Sequence, residues 1–534
     1  MLQTPRATRG MVVAPHHLAA QAGLRVLRDG GNAIEAMVAA ASTIAVVYPH
    51  MNGLGGDNFW LIDPGNSASL GGTPLAIDAC GAAAAQASIE FYRERGQAAI
   101  PARGVLAANT VAGAVSGWQA ALEVSRDWGG RLPLARLLED AVGYARDGIA
   151  VTRSQHTNTL LKRPELDDVP GFADAFLADG AVPAIGDVFR NPALAGTLEH
   201  LGTAGLDDFY RGELARALAE DLTHAGSPLA RGDLNRHQAR RVAPLEVSLR
   251  AGTAYNLPPP TQGLASLILL AVFERLGVGT ADGFDYVHGL VEAAKCAFRV
   301  RDAHLTDPAY MIREPAEFLT GDALDAMAAG IDPNRAAPWS AAAKPGDTVW
   351  LGAIDGEGRA VSFIQSLYWE FGSGLVLPGS GVIWQNRGTS FSLDHGAANP
   401  LMPGRKPFHT IQPALARLDD GRVMAYGTMG GEGQPQTQAM VYTRHVVYGQ
   451  ELQAAVTAPR WLLGRTWGAA AMNLRIENRF PEAVIAALRA AGHDLEVVGP
   501  FDEIMGHAGA LVRHPSGVIE GAADPRGDGG AAAF

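Results

Sequence analysis

The feature that most constrains the fold is a change of pattern at residue 348. Residues 105–300 are mostly of helical type, and 283–305 carry apolar residues at the spacing of one helix face. After Thr348 the chain turns to short segments rich in β-forming residues, separated by turns such as DGEG and DDG. A Pro-, Ala- and Gly-rich stretch at 330–347 reads as an exposed loop between them. Helices followed by strands predict a layered α/β sandwich.

The first 63 residues predict two helices and a strand. The helices are divided by Gly30-Gly31-Asn32, and NGLGGDNFWLID (52–63) reads as a glycine turn that leads into a buried strand. No Lys-Ser/Thr follows these glycines, and helix–loop–strand is the wrong order for a phosphate loop. We therefore expect the glycines to serve the backbone turn.

Composition excludes several classes of function. The chain has 534 residues and a formal net charge of -12, which argues against nucleic acid as the main partner. Its two cysteines, Cys80 and Cys296, lack zinc-ligand spacing, so no metal or organic cofactor is expected. The apolar run at 264–273 is too short to span a bilayer, and the N-terminus lacks the apolar core of a secretory signal. The expected location is the cytoplasm, without a membrane partner.

Thr348 follows a Lys-Pro-Gly turn in KPGDTVWLGAID (344–355). A threonine hydroxyl is a poor nucleophile at neutral pH, but at the start of a chain its own α-amino group, with a pKa of about 8, is an adjacent base. Cleavage of the Asp347–Thr348 bond would create that arrangement. The local pattern by itself is more typical of an ordinary residue at the beginning of a strand.

A second candidate element is GTMGGEGQPQTQ (427–438). Here Gly430 and Gly431 lie between a predicted strand and a predicted helix. Backbone N–H groups at such a turn can stabilise an oxyanion, although a Gly-Gly turn is also a common structural element.

Taken together, the motifs resemble the γ-glutamyltranspeptidase family of N-terminal nucleophile hydrolases. The resemblance runs along nearly the whole chain. The motifs that carry it are AGLRVLRDGGNAIEAMVAAA, VVYPHMNGLGGDNFWLI, TVAGAVSGW, LVEAAKCAFRVRDAHLTDP, DTVWLGAIDGEGRAVSFIQSLYWEFGSG, PGRKPFHTIQPAL and GTMGGEGQPQ.

The resemblance implies a four-layer αββα sandwich made as one precursor. Cleavage between Asp347 and Thr348 would give a large chain, 1–347, and a small chain, 348–534. Thr348 would be the nucleophile, Gly430 and Gly431 the oxyanion-hole residues, and Ser366 a hydroxyl that contacts the free α-amino group. The expected partners are a small amide substrate and the other chain of the same precursor, with a higher homo-oligomer left open.

The family's substrate-binding pattern is altered. At the position of the arginine that binds the glutamyl carboxylate this chain has Ile89, which cannot form a charge-assisted pair. The family's α-amino contacts fall on Tyr368, Arg387 and Ser390, and an arginine would repel an ammonium group.

Two further substrate-binding hydroxyls of the family fall on His409 and Thr410. These five residues favour a substrate that has a carboxylate but no α-amino group. Arg387 would bind the carboxylate, and His409 would assist by hydrogen bonding. The motifs are similar to those of the branch that includes oxamate amidohydrolases. Alternatives are a genuine γ-glutamyltransferase or glutathione hydrolase, a glutaryl- or cephalosporin-type acylase, and an unprocessed relative that only binds.

Overall fold

The structure is a computed structural model that describes residues 3–65, 72–339, 347–464 and 473–534. The turn before the predicted cleavage bond, at 344–346, lies outside these residues, and of Asp347 only the backbone is described. The described α-helices are α1 His17–Arg28, α2 Ala33–Val47, α3 Ile89–Arg93, α4 Ala114–Asp127, α5 Leu134–Asp147, α6 Arg153–Leu166, α7 Phe172–Phe176, α8 Pro192–Ala204, α9 Asp208–Arg211, α10 Glu213–Ala225, α11 Arg231–Arg236, α12 Gly263–Arg275, α13 Phe284–His304, α14 Gly321–Ala329, α15 Gln434–Tyr442, α16 Leu452–Thr457 and α17 Glu482–Ala490.

The strands come from both halves of the chain. They are β1 Arg6–Ala7, β2 Gly10–Ala14, β3 Asp57–Asp63, β4 Leu75–Ala79, β5 Ile149–Ala150, β6 Val188–Phe189, β7 Arg240–Val242, β8 Leu245–Leu249, β9 Gly252–Asn256, β10 Asp347–Asp355, β11 Ala360–Tyr368, β12 Val376–Leu377, β13 Val382–Ile383, β14 Ala414–Leu418, β15 Val423–Thr428, β16 Trp461–Leu463, β17 Leu474–Glu477, β18 Leu495–Val498, β19 Ala508–Arg513, β20 Ile519–Ala523 and β21 Gly530–Ala533.

Two seven-stranded sheets form the centre of the molecule. Sheet I has the order β21-β2-β10-β11-β3-β4-β7, and sheet II has the order β1-β20-β19-β15-β14-β9-β8. The sheets pack face to face through apolar side chains such as Phe59, Trp350, Ile364 and Leu511. Each sheet contains strands from both sides of the Asp347–Thr348 bond.

Helices cover the outer face of each sheet. Helices α1, α2 and α4 pack on sheet I, α12 and α15 pack on sheet II, and α13 packs against α12 and α15. The four layers confirm the predicted αββα sandwich. Among the described residues, no helix combines the length and apolarity needed to cross a membrane.

The local predictions are confirmed with three exceptions. The two N-terminal helices form as α1 and α2, and Asn32 caps α2 because its side chain accepts from the N–H groups of Ile34 and Glu35. The region 105–300 is mostly helical but also supplies β7–β9. Strands β1 and β2 near the N-terminus have no counterpart in the sequence patterns. Among the β-rich segments after Thr348, GVIWQN (381–386) predicts a strand, but only Val382–Ile383 forms one.

Candidate active site

Thr348 lies near the start of β10, in the middle of sheet I. A β-bulge occurs here: Asp347 pairs with Tyr368 and Val349 pairs with Gln365, so two residues of β11 lie opposite Thr348. The Thr348 residue is buried, with 1% exposure. Nε2 of Gln434 lies 3.5 Å from its Oγ1, at the limit of a hydrogen bond.

The ends of three adjacent strands place polar residues in one row. Ser366 at the end of β11 pairs directly with Asp57 at the start of β3, so their side chains point to the same face of sheet I. Thr348 is on the next strand, and neighbouring strands are about 4.8 Å apart. The row is therefore a hydroxyl nucleophile candidate, a second hydroxyl and a carboxylate.

The glycine pair lies at the end of β15 in sheet II. Gly430 has φ 110° and Gly431 has φ 51°, a left-handed conformation that residues with a side chain rarely adopt. The turn leads directly into α15, which begins at Gln434, the residue next to Thr348 Oγ1. Gln262 holds this turn, since its Nε2 donates to the carbonyls of Gly431 at 2.8 Å and Thr410 at 2.6 Å.

Arg387 is completely buried beside Ser366. Its Nη2 lies 3.3 Å from Ser366 Oγ, and its Nη1 lies 3.4 Å from Thr410 Oγ1. Nε makes no hydrogen bond to any residue that the structure describes. Burial lowers the pKa of Arg387 to about 10, and Tyr368 and Asp57 oppose this effect at longer range. A buried guanidinium without a close carboxylate is costly and is suited to an anionic ligand.

Tyr368 forms one wall of the Arg387 site. The Arg387 guanidinium carbon lies 4.0 Å from the centre of its ring, a cation–π contact. Tyr368 has φ 85°, and its backbone N–H donates to Ser366 Oγ at 2.7 Å. Such a φ costs on the order of 1–3 kcal/mol in a residue with a side chain, and strain of this kind is concentrated at functional sites.

His409 approaches from sheet II and faces Asp57. His409 Nε2 lies 3.6 Å from Asp57 Oδ2, and both residues have 0% exposure. Burial, with help from Arg387 and Lys406, lowers the pKa of His409 well below its usual range, so the ring is neutral. Burial raises the pKa of Asp57 to about 7, while Arg387 and the N–H groups of Gly81 and Gly113 act in the opposite direction.

The structure brings most of the predicted residues together. Thr348, Ser366, Tyr368, Arg387 and Thr410 are linked by the contacts above. Ser390 is buried at the end of the short 3₁₀ helix that begins with Arg387. Its carbonyl accepts from Asn399 Nδ2 at 3.3 Å.

The family resemblance predicts that Ile89 stands in place of the carboxylate-binding arginine. Here it is buried on α3 within the helical core beside sheet I. The described geometry therefore provides a cation at Arg387 and an apolar side chain at Ile89.

Sequence reasoning missed three residues of this region. Gln434 reaches Thr348, Gln262 holds the glycine turn, and Asp57 lies opposite His409. For Asp57 a signal did exist, since GGDNFWLI places a carboxylate at the start of a strand whose other residues are buried. The glycine pattern by itself predicts only a structural turn for that stretch.

A separate group within the described residues has the chemistry of metal ligands. His288 and Glu292 are one turn apart on α13, and His493 follows α17. His288 Nδ1 lies 2.9 Å from His493 Nε2, and Glu292 accepts from Lys295 Nζ at 2.7 Å. These contacts already satisfy the side chains, and they lie in the helices outside sheet II, not at the strand ends that carry Thr348.

Comparison with known proteins gives consistent results. The sequence profile of the gamma-glutamyltranspeptidase family matches residues 19–534. The oxamate amidohydrolase proenzyme of Klebsiella pneumoniae is 56% identical over 529 residues, which cover 99% of each chain. The glutathione hydrolase-like YwrD proenzyme of Bacillus subtilis is 40% identical, over 98% of each chain.

Solved structures agree with the sequence matches. A crystal structure of cephalosporin acylase from Bacillus halodurans has a TM-score of 0.90 and 33% identity, covering 100% of this chain and 97% of that one. The profile, the relatives and the sandwich all confirm the resemblance inferred from the motifs. The chain therefore belongs to the γ-glutamyltranspeptidase family, and it is an amide hydrolase of the N-terminal nucleophile type.

Proposed function

We propose that this protein cleaves itself between Asp347 and Thr348 and then hydrolyses the amide of a short carboxylic acid such as oxamate. The observation that carries the proposal is the position of Arg387. Its guanidinium is fully buried and lies 3.3 Å from Ser366, the strand neighbour of Thr348. The 56% identical relative is named an oxamate amidohydrolase proenzyme, which supports the same substrate.

The short distance between Arg387, the proposed carboxylate-binding residue, and Thr348, the proposed nucleophile, favours a substrate with a short acyl group. Ser366 and Thr348 lie on strands about 4.8 Å apart, and Arg387 contacts Ser366. A carboxylate on Arg387 would therefore lie within a few ångströms of the carbon attacked by Thr348. In oxamate the carboxylate and the amide carbonyl are directly bonded, so the substrate spans this interval without extra methylene groups.

In the proposed mechanism Thr348 Oγ attacks the amide carbon and its proton passes to the α-amino group of the new chain terminus. N–H groups at Gly430 and Gly431 stabilise the tetrahedral oxyanion, and Ser366 holds the α-amino group. The C–N bond then breaks and ammonia leaves with the transferred proton. Water attacks the resulting ester, the acid is released, and Thr348 is restored.

The other predicted residues would shape the acid-binding site. Arg387 binds the carboxylate, with Thr410 and Tyr368 holding the guanidinium from two sides. His409 and Ser390 complete the polar wall. Cleavage would divide the precursor into chains 1–347 and 348–534.

Two measurements test the proposal. Mass spectrometry of the denatured wild type should give two fragments divided at Asp347/Thr348, and Thr348→Ala should remain one chain. The cleaved protein should release ammonia from oxamate. An intact, inactive wild type would refute self-processing, whereas a cleaved protein that ignores oxamate would refute only the substrate.

A second acyl class is tested in the same assay. The structural similarity to a cephalosporin acylase, at a TM-score of 0.90, makes glutaryl amides the main alternative substrate. Faster turnover of a glutaryl amide than of oxamate would favour that class. Transfer from a γ-glutamyl amide to a dipeptide would favour a transferase.

A further inference from the structure

The buried polar residues around Arg387 include a carboxylate, Asp57, that has no role in the proposed mechanism. Asp57 Oδ1 accepts from the backbone N–H of Gly81 at 3.0 Å and of Gly113 at 2.9 Å. Gly113 is the N-cap of α4, so the helix dipole also favours the carboxylate. These contacts fix the orientation of the Asp57 side chain.

The other oxygen of Asp57 faces His409. Oδ2 makes no hydrogen bond within the described part of the chain, and His409 Nε2 lies 3.6 Å away. The amide of Gln385 is close enough to lower the pKa of Asp57, and one N–H of its Nε2 donates to the Val111 carbonyl at 2.8 Å. Buried polar groups without hydrogen bonds are rare in native structures and require an explanation.

Above about pH 7, where Asp57 is ionised, its charge decides which nitrogen of His409 carries the proton. The ring is neutral, so one nitrogen is a donor and the other an acceptor. A proton on Nε2 faces the carboxylate favourably, whereas a lone pair on Nε2 would face another lone pair. Nδ1 is then the acceptor, and it makes no hydrogen bond to any described residue.

His409 lies close enough to Arg387 for that charge to add to burial in lowering its pKa, and the next residue, Thr410, contacts Arg387 Nη1 at 3.4 Å. An acceptor on His409 can therefore discriminate between two similar acids bound at Arg387. Arg387 attracts a carboxylate, while Nδ1 of His409 accepts an N–H and offers nothing to a second carboxylate. Oxamate and oxalate, the acid released from it, differ in this respect alone: one has an amide NH₂ where the other has a charged oxygen.

We propose that Asp57, acting through His409, is a positioning residue that makes this pocket select an acid bearing an amide N–H over one bearing a second carboxylate. The inference rests on the proposed function, because it assumes that Arg387 binds the substrate carboxylate. It assigns Asp57 to binding selectivity and product release, and it gives Asp57 no part in bond cleavage.

The substitution Asp57→Asn should reverse the positions of the donor and the acceptor nitrogen on His409 with almost no change in the shape of the side chain at position 57. The two backbone N–H groups require an acceptor at Oδ1, so the new NH₂ must take the place of Oδ2. It donates to His409 Nε2, the ring proton moves to Nδ1, and the pocket now presents a donor. We expect KM for oxamate to rise about tenfold or more and the inhibition constant of oxalate to fall.

Asp63→Asn is the matched control. Asp63 is the buried carboxylate at the other end of β3, where it pairs with Arg417 at 2.6 Å. Its substitution should lower the thermal midpoint and leave the ratio of oxalate affinity to oxamate affinity unchanged. A merely structural role of Asp57 would likewise weaken both ligands together, and that result would overturn the proposal.

A double-mutant cycle tests the route through His409. In a His409→Phe background, which keeps a ring beside Phe59, Asp57→Asn should no longer change the oxalate-to-oxamate ratio. A full effect there would refute action through His409. If the wild type fails to hydrolyse oxamate, the proposed function falls by itself, and calorimetric affinities of the wild type and Asp57→Asn for oxamate and oxalate still decide the role of Asp57.

Discussion

Replacing Arg387 with methionine should weaken substrate binding strongly without destabilising the protein. Burial lowers the pKa of Arg387 to about 10, which corresponds to a cost of about 3 kcal/mol for keeping the ionised group in the folded state. The substitution removes this cost and loses two long hydrogen bonds and the cation–π contact with Tyr368. The net free energy of unfolding should stay constant or rise by on the order of 1–2 kcal/mol.

The pH dependence of stability tests whether burial of the ionised Arg387 destabilises the folded protein. The depressed pKa lies far above neutral, so the side chain is ionised in the folded and unfolded states at pH 6 and at pH 8. The cost is therefore the same at both values, and it is relieved only as pH rises through about 10. Arg387 also lowers the pKa of Asp57, which burial raises to about 7 in the wild type, so Arg387→Met should raise that pKa further. The thermal midpoint of Arg387→Met should therefore fall relative to wild type as pH rises from 7 to 8, because Asp57 of the variant is still resisting ionisation there.

The catalytic activity of Arg387→Met should fall, although its stability below pH 7 does not. A lost charge-assisted pair with the substrate carboxylate is worth about 3 kcal/mol or more, on the order of 10² in kcat/KM. The assay is ammonia release from oxamate, with mass spectrometry to show that the chain is still cleaved. Unchanged kinetics combined with a lower thermal midpoint would refute the assignment, because that result describes a structural arginine.

Arg460 is the matched control for Arg387. It is equally buried and burial also lowers its pKa to about 10, but it pairs with Asp524 at 2.6 Å. Arg460→Met would leave Asp524 with one cation fewer in a buried site, and such truncations cost about 3–5 kcal/mol. We therefore expect a large loss of stability from Arg460→Met and none from Arg387→Met.

Two further predictions concern Asp57 and Gly430. Because burial raises the pKa of Asp57 from 3.8 to about 7, wild type should lose up to about 4 kcal/mol of stability as pH rises from about 4 to 7. Asp57→Asn lacks this loss, so its advantage in urea unfolding should be larger at pH 8 than at pH 5, and a deficit at pH 8 would contradict the reasoning. Gly430→Ala, at φ 110°, should cost about 1–3 kcal/mol and lower kcat more than it raises KM. Gly449→Ala, at φ 66° with no heavy atom within 4 Å of the added carbon, should lose stability alone, and equal kcat losses would argue against an oxyanion role for Gly430.

The sequence predicted the layers well because their signals are local. Helical spacing at 283–305 became α13, and the β-rich segments after Thr348 became β10, β11, β14 and β15. Strand β2 was missed because GMVVA is only five residues long and has no alternation. Its place between β10 and β21 is set by long-range pairing, which a single sequence does not reveal.

The site was predicted only in part, for the same physical reason. Thr348, Gly430 and Arg387 could be named because they fall at motif positions of a family. Asp57 and Gln434 join the candidate site only through contacts between the two sheets: Asp57 faces His409, and Gln434 lies next to Thr348. No spacing along the chain encodes such contacts.

The sharing of both sheets between the two halves has a consequence for the lifetime of the cleaved protein. β10 pairs with β11 from Val349 onward and with β2 from Gly352 onward, so the main-chain ladder holds the first strand of the small chain in place after the proposed cut. The two chains would separate only if both sheets came apart, which makes dissociation as slow as global unfolding. Reassembly from dilute solution would become a bimolecular event that depends on concentration. Cleavage would thus supply the catalytic amino terminus and leave the folded protein kinetically stable. After denaturation, however, the two separate chains would refold poorly at low concentration.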